Sequence, residues 1–204
     1  MVKLLLSLIF IFGLSSKSEA IDSCLSPDDS ELIGLLNDYR VQNGLTSLPP
    51  SFWLGSTAQW KIWDRLNNPS AVGGSCSTHS WSNNPPSGVA WTGMCYTMDH
   101  AQAAQMWAKP RQISASIYTG NGYELTADSG GTQTPAQALS QWQNSPAHNA
   151  VILQQGQWAG VNFRGIGVDL SGGYAILWFG DGLNSGGLME PCQTETVFED
   201  GFEN

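Results

Sequence analysis

Positive charge is scarce in this chain. Eight lysines and arginines stand against 17 aspartates and glutamates in 204 residues, a formal charge of −9. A chain so short of basic side chains repels phosphate backbones, which sets nucleic acid aside as a partner. Its acidity fits a protein kept soluble by like charge and carries no information on fold. The four cysteines include no Cys-x-x-Cys, and the three histidines include no His-Glu-x-x-His. The first absence removes a local cysteine zinc site or redox dithiol, and the second removes the local signature of a zinc protease. Long apolar runs are missing too. One nearly unbroken stretch, residues 4–14, is too short to cross a bilayer, and no later stretch is long enough, so the chain is not expected to span a membrane. No internal repeat is found.

That apolar stretch has a different use. Met1-Val2-Lys3 gives a short positive start and Ser18-Glu19-Ala20 a small-x-small cleavage site, so residues 1–20 read as a secretory signal. No Leu-x-x-Cys lies at the cleavage point, which argues against a lipoprotein. Without residues 1–20 the balance is 6 basic against 16 acidic residues, a net −10. The expected location is secreted: extracellular, periplasmic or at the cell surface. In such a compartment four cysteines imply two disulfides, with three pairings open. The favoured set joins Cys76 to Cys95 and Cys24 to Cys192. The first closes a loop around His79 and contributes roughly 3 kcal/mol by the chain-entropy estimate. The second ties the approach to the first helix to the exit from the last strand.

Helix signals open the exported part. Ser26-Pro27-Asp28-Asp29 supplies a cap, a first-turn proline and two carboxylates at the positive end of the dipole. Leu32, Leu35, Leu36 and Tyr39 follow at helical spacing, and Gly44 offers a stop. A second helix is expected over about residues 52–66. Residues 67–96 are rich in Gly, Pro, Ser and Asn and read as a long loop, which a compact domain keeps only with a disulfide or a function. Residues 97–109 read as a third helix, capped by Thr97 and stopped before Pro110. Thr134-Pro135 starts a fourth, and Ser145-Pro146 restarts a helical turn with His148 near its beginning. Residues 159–170 and 174–180 read as strands around the turn Ser171-Gly172-Gly173. Helices before and between a few antiparallel strands argue for an α+β fold.

Three segments carry the chemistry: Thr78-His79-Ser80-Trp81, then Gly122-Tyr123-Glu124, then Trp142-Gln143-Asn144-Ser145-Pro146-Ala147-His148. Their order, with Leu36-Asn37-Asp38-Tyr39-Arg40 and Asn43-Gly44-Leu45 upstream and Gly165-Ile166-Gly167-Val168 downstream, resembles the bacterial branch of the CAP superfamily (SCP/TAPS, pathogenesis-related-1-like). The resemblance implies a three-layer α-β-α sandwich with a small antiparallel sheet over roughly residues 30–182. It implies a cleft carrying His79, Glu124 and His148. The family's second acid, from Trp-x-x-Glu, is replaced by Ser145. CAP domains share no single activity, so the resemblance speaks to fold more than to function.

Two imidazoles and a carboxylate can hold zinc or another divalent cation with open positions, His79 and His148 as ligands. Glutamate can also orient a histidine from behind. His100, beside Asp99, reads as a surface residue. Asp128-Ser129-Gly130-Gly131 imitates a serine-protease nucleophile motif, but only fifty residues separate His79 from Ser129, and the stretch reads as a Gly-rich turn. The nine tryptophans read chiefly as core, with a groove at Trp81 and Trp91 as the sharper alternative.

The organisation expected is therefore a signal peptide over 1–20, a CAP-like domain over 21–183 and an acidic Gly-rich tail over 184–204. The tail ending Phe198-Glu199-Asp200-Gly201-Phe202-Glu203 resembles a sorting or display signal on exported proteins of some Gram-negative bacteria, with a solvated acidic tail as the plainer reading. The leading functional expectation is ligand binding in the His/Glu cleft, the ligand being a small apolar or glycan molecule or a surface protein. A metal-assisted hydrolase with Glu124 as general base is the alternative, and a structural adhesion module a third.

Overall fold

A computed structural model describes residues 21–183 and 186–193. The signal segment 1–20 and the ending Phe198–Glu203 lie outside the described residues. Helix α1 (Pro27–Gln42) begins as its sequence predicts: Ser26 accepts from the Asp29 amide and Asp29 answers the Ser26 backbone, a reciprocal cap with proline in the first turn. Asp29 is buried because its other oxygen accepts the Leu170 amide at 2.9 Å, which fixes the helix start against the sheet. Helix α2 (Phe52–Asn67) is followed by one 3₁₀ turn, Pro69–Ala71.

The third predicted helix is shorter and displaced. It comprises α3 (Ala103–Trp107) and α4 (Lys109–Ile113). The Thr97 hydroxyl bonds Asp99 and Gln102 and holds a turn in place of a helix start. Pro110 sits in the first turn of α4, where its missing N–H is harmless, so it opens a helix rather than closing one. Strand β1 (Gly122–Asp128) follows, then α5 (Pro135–Asn144) with a Thr134–Gln137 capping box, α6 (Pro146–Ile152), a 3₁₀ turn at Gly156–Trp158, and strands β2 (Gly165–Ser171) and β3 (Tyr174–Gly180).

The three strands form one antiparallel sheet in the order β1-β3-β2. Helices α1 and α5 cover one face and α2 the other, so the fold is α+β with α-β-α layers. One core packs Leu32, Leu36, Trp142, Val168 and Phe179 between the sheet and the α1 side. A second packs Leu54, Ile62, Trp81, Trp91 and Trp178 on the α2 side. A Cβ on Gly167 would overlap the backbone of Leu54 and Gly55, so glycine sets how closely β2 approaches α2.

Both expected disulfides are present, Cys24–Cys192 and Cys76–Cys95. The described part of the segment read as a tail runs along the domain: the Leu25 amide donates to the Glu190 carbonyl, the Cys192 amide donates to the Leu25 carbonyl beside the first bridge, and Met189 is fully buried beside Gly55.

Candidate functional site

The long loop is held from below by α2. Asp64, buried in that helix, accepts from the Ser82 amide at 2.8 Å and from its hydroxyl. The Lys61 ammonium donates to the Ser80 carbonyl and lies 5.0 Å from the centre of the Trp81 ring. The Lys109 ammonium donates to Thr92 and lies 5.2 Å from the same ring. Burial drives both lysines down to about 8, partly offset by Glu124 and Asp64 and, for Lys109, reinforced by Lys61. Trp91 donates to the Ser82 carbonyl at 3.0 Å, and Trp81 pairs with Met94. Trp81 and Trp91 are therefore core, buried against each other at 5.2 Å between ring centres, and form no groove.

This scaffold presents His79. Its Nδ1 lies 2.8 Å from Glu124 Oε1, on β1. The glutamate side chain is fully buried, while the imidazole keeps 19% of its surface exposed. Glu124 Oε2 is also buried and has no partner among the described residues. The Tyr96 ring meets His79 edge-on at 5.3 Å, and its hydroxyl is 3.0 Å from His100 Nδ1. Burial, then the charges of Glu124 and Asp99, raise the Tyr96 hydroxyl above the usual tyrosine value. His148 stands in the first turn of α6, half-buried. Burial, then the nearby charge of His79, lower it below the ordinary histidine value, which favours the neutral imidazole.

These residues line one cavity of about 980 Å³. His79, Tyr96 and His100 stand on one wall, and Met106, Trp107, Trp158 and Val161 give it apolar surface. All three histidines of the chain meet there. His100 is exposed, as its place beside Asp99 predicts, and stands on the cavity's rim with its backbone at φ 59°. Histidine is one of the few residue types enriched in that region.

Glu124 is the one carboxylate among the described lining residues, and Ser145 is not among them. No group of three or more His, Cys, Asp or Glu side chains is arranged to hold a metal ion among the described residues. What is arranged is an imidazole backed by a carboxylate, with a neutral-leaning second imidazole in the same cavity. His79 Nδ1 is engaged by Glu124, which leaves Nε2 as its free donor atom. Ser129 is remote from this chemistry: its hydroxyl bonds the Gly173 carbonyl at 3.3 Å in a turn, as the Gly-rich reading of that stretch predicts.

No family model matches the chain, and no curated protein does. Solved structures give low-identity likenesses. An extracellular protein containing an SCP domain from Bacillus anthracis aligns at TM-score 0.49 and 16% identity over 74% of this chain and 39% of that one. A cysteine-rich secretory protein from Staphylococcus aureus gives TM-score 0.46 and 15% identity over 76% and 38%. An outer surface protein of Borrelia burgdorferi gives 0.47 and 15% over 80% and 97%. The chain thus spans about two fifths of the first two proteins and nearly all of the third. No described helix is long and apolar enough to cross a membrane.

Proposed function

We propose that this chain is an exported CAP-like domain that binds a ligand in the cleft of His79, Glu124 and His148. The observation that carries the reading is the convergence of a carboxylate-backed imidazole, a second imidazole and an apolar aromatic wall on one cavity of about 980 Å³. Such a volume stands at the upper end of ligand sites, roughly 300–1,000 Å³, and the few polar groups set against a mostly apolar wall are typical of them. The ligand is a small apolar or glycan molecule or a segment of a surface protein. The two disulfides and the predicted signal segment support export.

His79 Nε2 and His148 are the donors that would hold zinc or a similar divalent cation, with Glu124 orienting His79 from behind. A bound cation would supply a Lewis-acidic contact for a ligand's oxygen. Two protein donors are fewer than a zinc enzyme ordinarily uses, and Glu124 is already engaged with His79, so binding is favoured over hydrolysis.

Zinc calorimetry on the disulfide-bonded protein, beside His79→Ala and His148→Ala, tests the metal part. Stoichiometric binding lost in both variants, with near-UV circular dichroism unchanged, is the expected result. Loss of cooperative unfolding in His148→Ala would make that residue structural instead. The ligand part is read by the fluorescence of Trp107 and Trp158. A cleft that answers to no fatty acid, oligosaccharide or peptide probe would sink it.

A further inference from the structure

Two backbone contacts fix which way β1 presents its peptide groups. Asp181 donates to the Asn121 carbonyl at 3.2 Å, and Ser129 donates to the Gly173 carbonyl at 3.1 Å. Both belong to the same β1–β3 register, in which Glu124 faces Trp178. Residues at odd numbers therefore turn their N–H and C=O toward β3, and the even-numbered Gly122, Glu124, Thr126 and Asp128 turn theirs outward. β1 is an edge strand, so nothing in the sheet receives them. Glu124 and Thr126 both line the cavity. Among the described residues, their outward N–H and C=O groups have no hydrogen-bond partner. Backbone groups in so buried a strand ordinarily find one.

The open stretch is bounded. At Gly122 a Cβ would lie 2.5 Å from Pro110 and 2.7 Å from Trp178, so α4 packs closely on the face of the strand at that end. At Asp128 the side chain is taken by the Gly130 amide and by Arg65. Between them the cavity opens on the unpaired edge.

We infer that the cleft receives an extended peptide, which pairs with Glu124 and Thr126 and adds a strand to the sheet. This rests on the cleft being a ligand site and names the ligand's class. The outward pairs of Glu124 and Thr126 are about 7 Å apart along the strand, the two-residue repeat at which another strand offers its own pairs. An acyl chain has neither donors nor acceptors at that repeat. The pleat sets the rest. Glu124 and Thr126 direct their side chains to the wall of His79 and Thr78, each through a hydrogen bond. Tyr123 directs its ring to the opposite wall, against Trp107 and Trp158 at 5.5 and 5.3 Å. A paired peptide therefore places alternate side chains on an imidazole-rich wall and an aromatic wall. Hydroxyl or amide groups, which can donate to the unpartnered Glu124 oxygen, suit the first and apolar groups the second.

The experiment uses a bead-bound library of blocked hexapeptides that alternate apolar and hydroxyl or amide residues, screened against the disulfide-bonded protein. A retained member is then remade with N-methyl groups on one alternate set of amides or on the other. Methylation of the set facing β1 is expected to weaken binding about tenfold or more, since each lost buried hydrogen bond counts fully, while the other set changes it little. Amide exchange at Glu124 and Thr126 should slow when the peptide is added. Equal effects of the two methylated sets, or no change at those amides, would overturn strand addition. A library that retains nothing, beside an oligosaccharide or fatty acid that does quench the cleft tryptophans, would overturn it and leave the ligand cleft standing. If no probe binds, the cleft reading falls as well.

Discussion

Asp169, on β2, is a carboxyl group placed where charge is disfavoured. Burial first, and the neighbouring Asp29 second, push it up to about 7, against a small opposing effect of the Ser171 hydroxyl. In the unfolded chain it titrates near the ordinary aspartate value of about 3.9. Between those values the folded state holds a proton that the unfolded state has lost, so stability falls as pH rises from about 4 to about 7. Asp169→Asn should remove that slope and raise stability at pH 8 by on the order of 1–2 kcal/mol, discounted for the side chain's partial exposure. Urea unfolding of the two proteins at pH 5 and pH 8 measures it; a variant no more stable at pH 8 than the parent would refute the assignment. Neither this residue nor Lys61 carried a sequence signal. A charged residue on a helix or strand reads as solvated until its neighbours are known. His79, Glu124 and His148 were legible because motif order, not local chemistry, placed them. His100 is exposed, as expected of a surface residue; its place on the cavity's rim was not legible because it depends on Tyr96 and on a turn.

Among the elements, those with complete local signals formed where expected. Helix α1 has its capping box and first-turn proline, α5 has the same pair, and β3 covers the predicted residues 174–180. The third helix failed because its two punctuation marks were each used differently: Thr97 bonds within a turn and Pro110 begins a helix. The strand read from residue 159 starts at Gly165, behind a 3₁₀ turn at Gly156–Trp158, since the apolar residues there serve the cleft rather than the sheet. The β2–β3 hairpin gives a test at this scale. Ser171 pairs with Tyr174 across a two-residue turn whose glycines sit at φ 57° and 84°. Asparagine tolerates such angles, and a Cβ on Gly172 meets only the tip of Leu66 at 3.1 Å. A Cβ on Gly173 would overlap the Gly131 carbonyl. Gly172→Asn should therefore cost less than about 1 kcal/mol and Gly173→Ala more than about 2 kcal/mol. Equal urea midpoints for the two would show that the neighbouring turn, residues 129–131, yields freely and does not pin the hairpin.

At the scale of the whole molecule the two disulfides divide the labour between stability and site. Cys24–Cys192 spans 168 residues and fastens both ends of the described chain, where Leu25 pairs with Pro191 and Met189 is seated in the core. Cys76–Cys95 spans 19 residues and braces the loop that presents His79. Chain entropy assigns the first about 5 kcal/mol and the second about 3 kcal/mol. The local geometry separates them further. The His79 loop is also held by Lys61, Asp64 and Trp91, so its core-facing part persists without the short bridge, while Ser77 and His79 lie on the bridge's side of that anchorage. Cys24→Ser with Cys192→Ser should lower the unfolding midpoint more, yet leave cleft binding intact in the molecules that remain folded. Cys76→Ser with Cys95→Ser should unfold less readily than that pair but speed amide exchange at Ser77 and His79 and weaken the proposed zinc binding. Urea titration and exchange measured on both double variants decide the matter. If opening the short bridge leaves exchange at Ser77 and His79 unchanged, the hydrogen bonds from α2 and from Glu124 and Thr126 on β1 hold the histidine in place, and the bridge serves stability only.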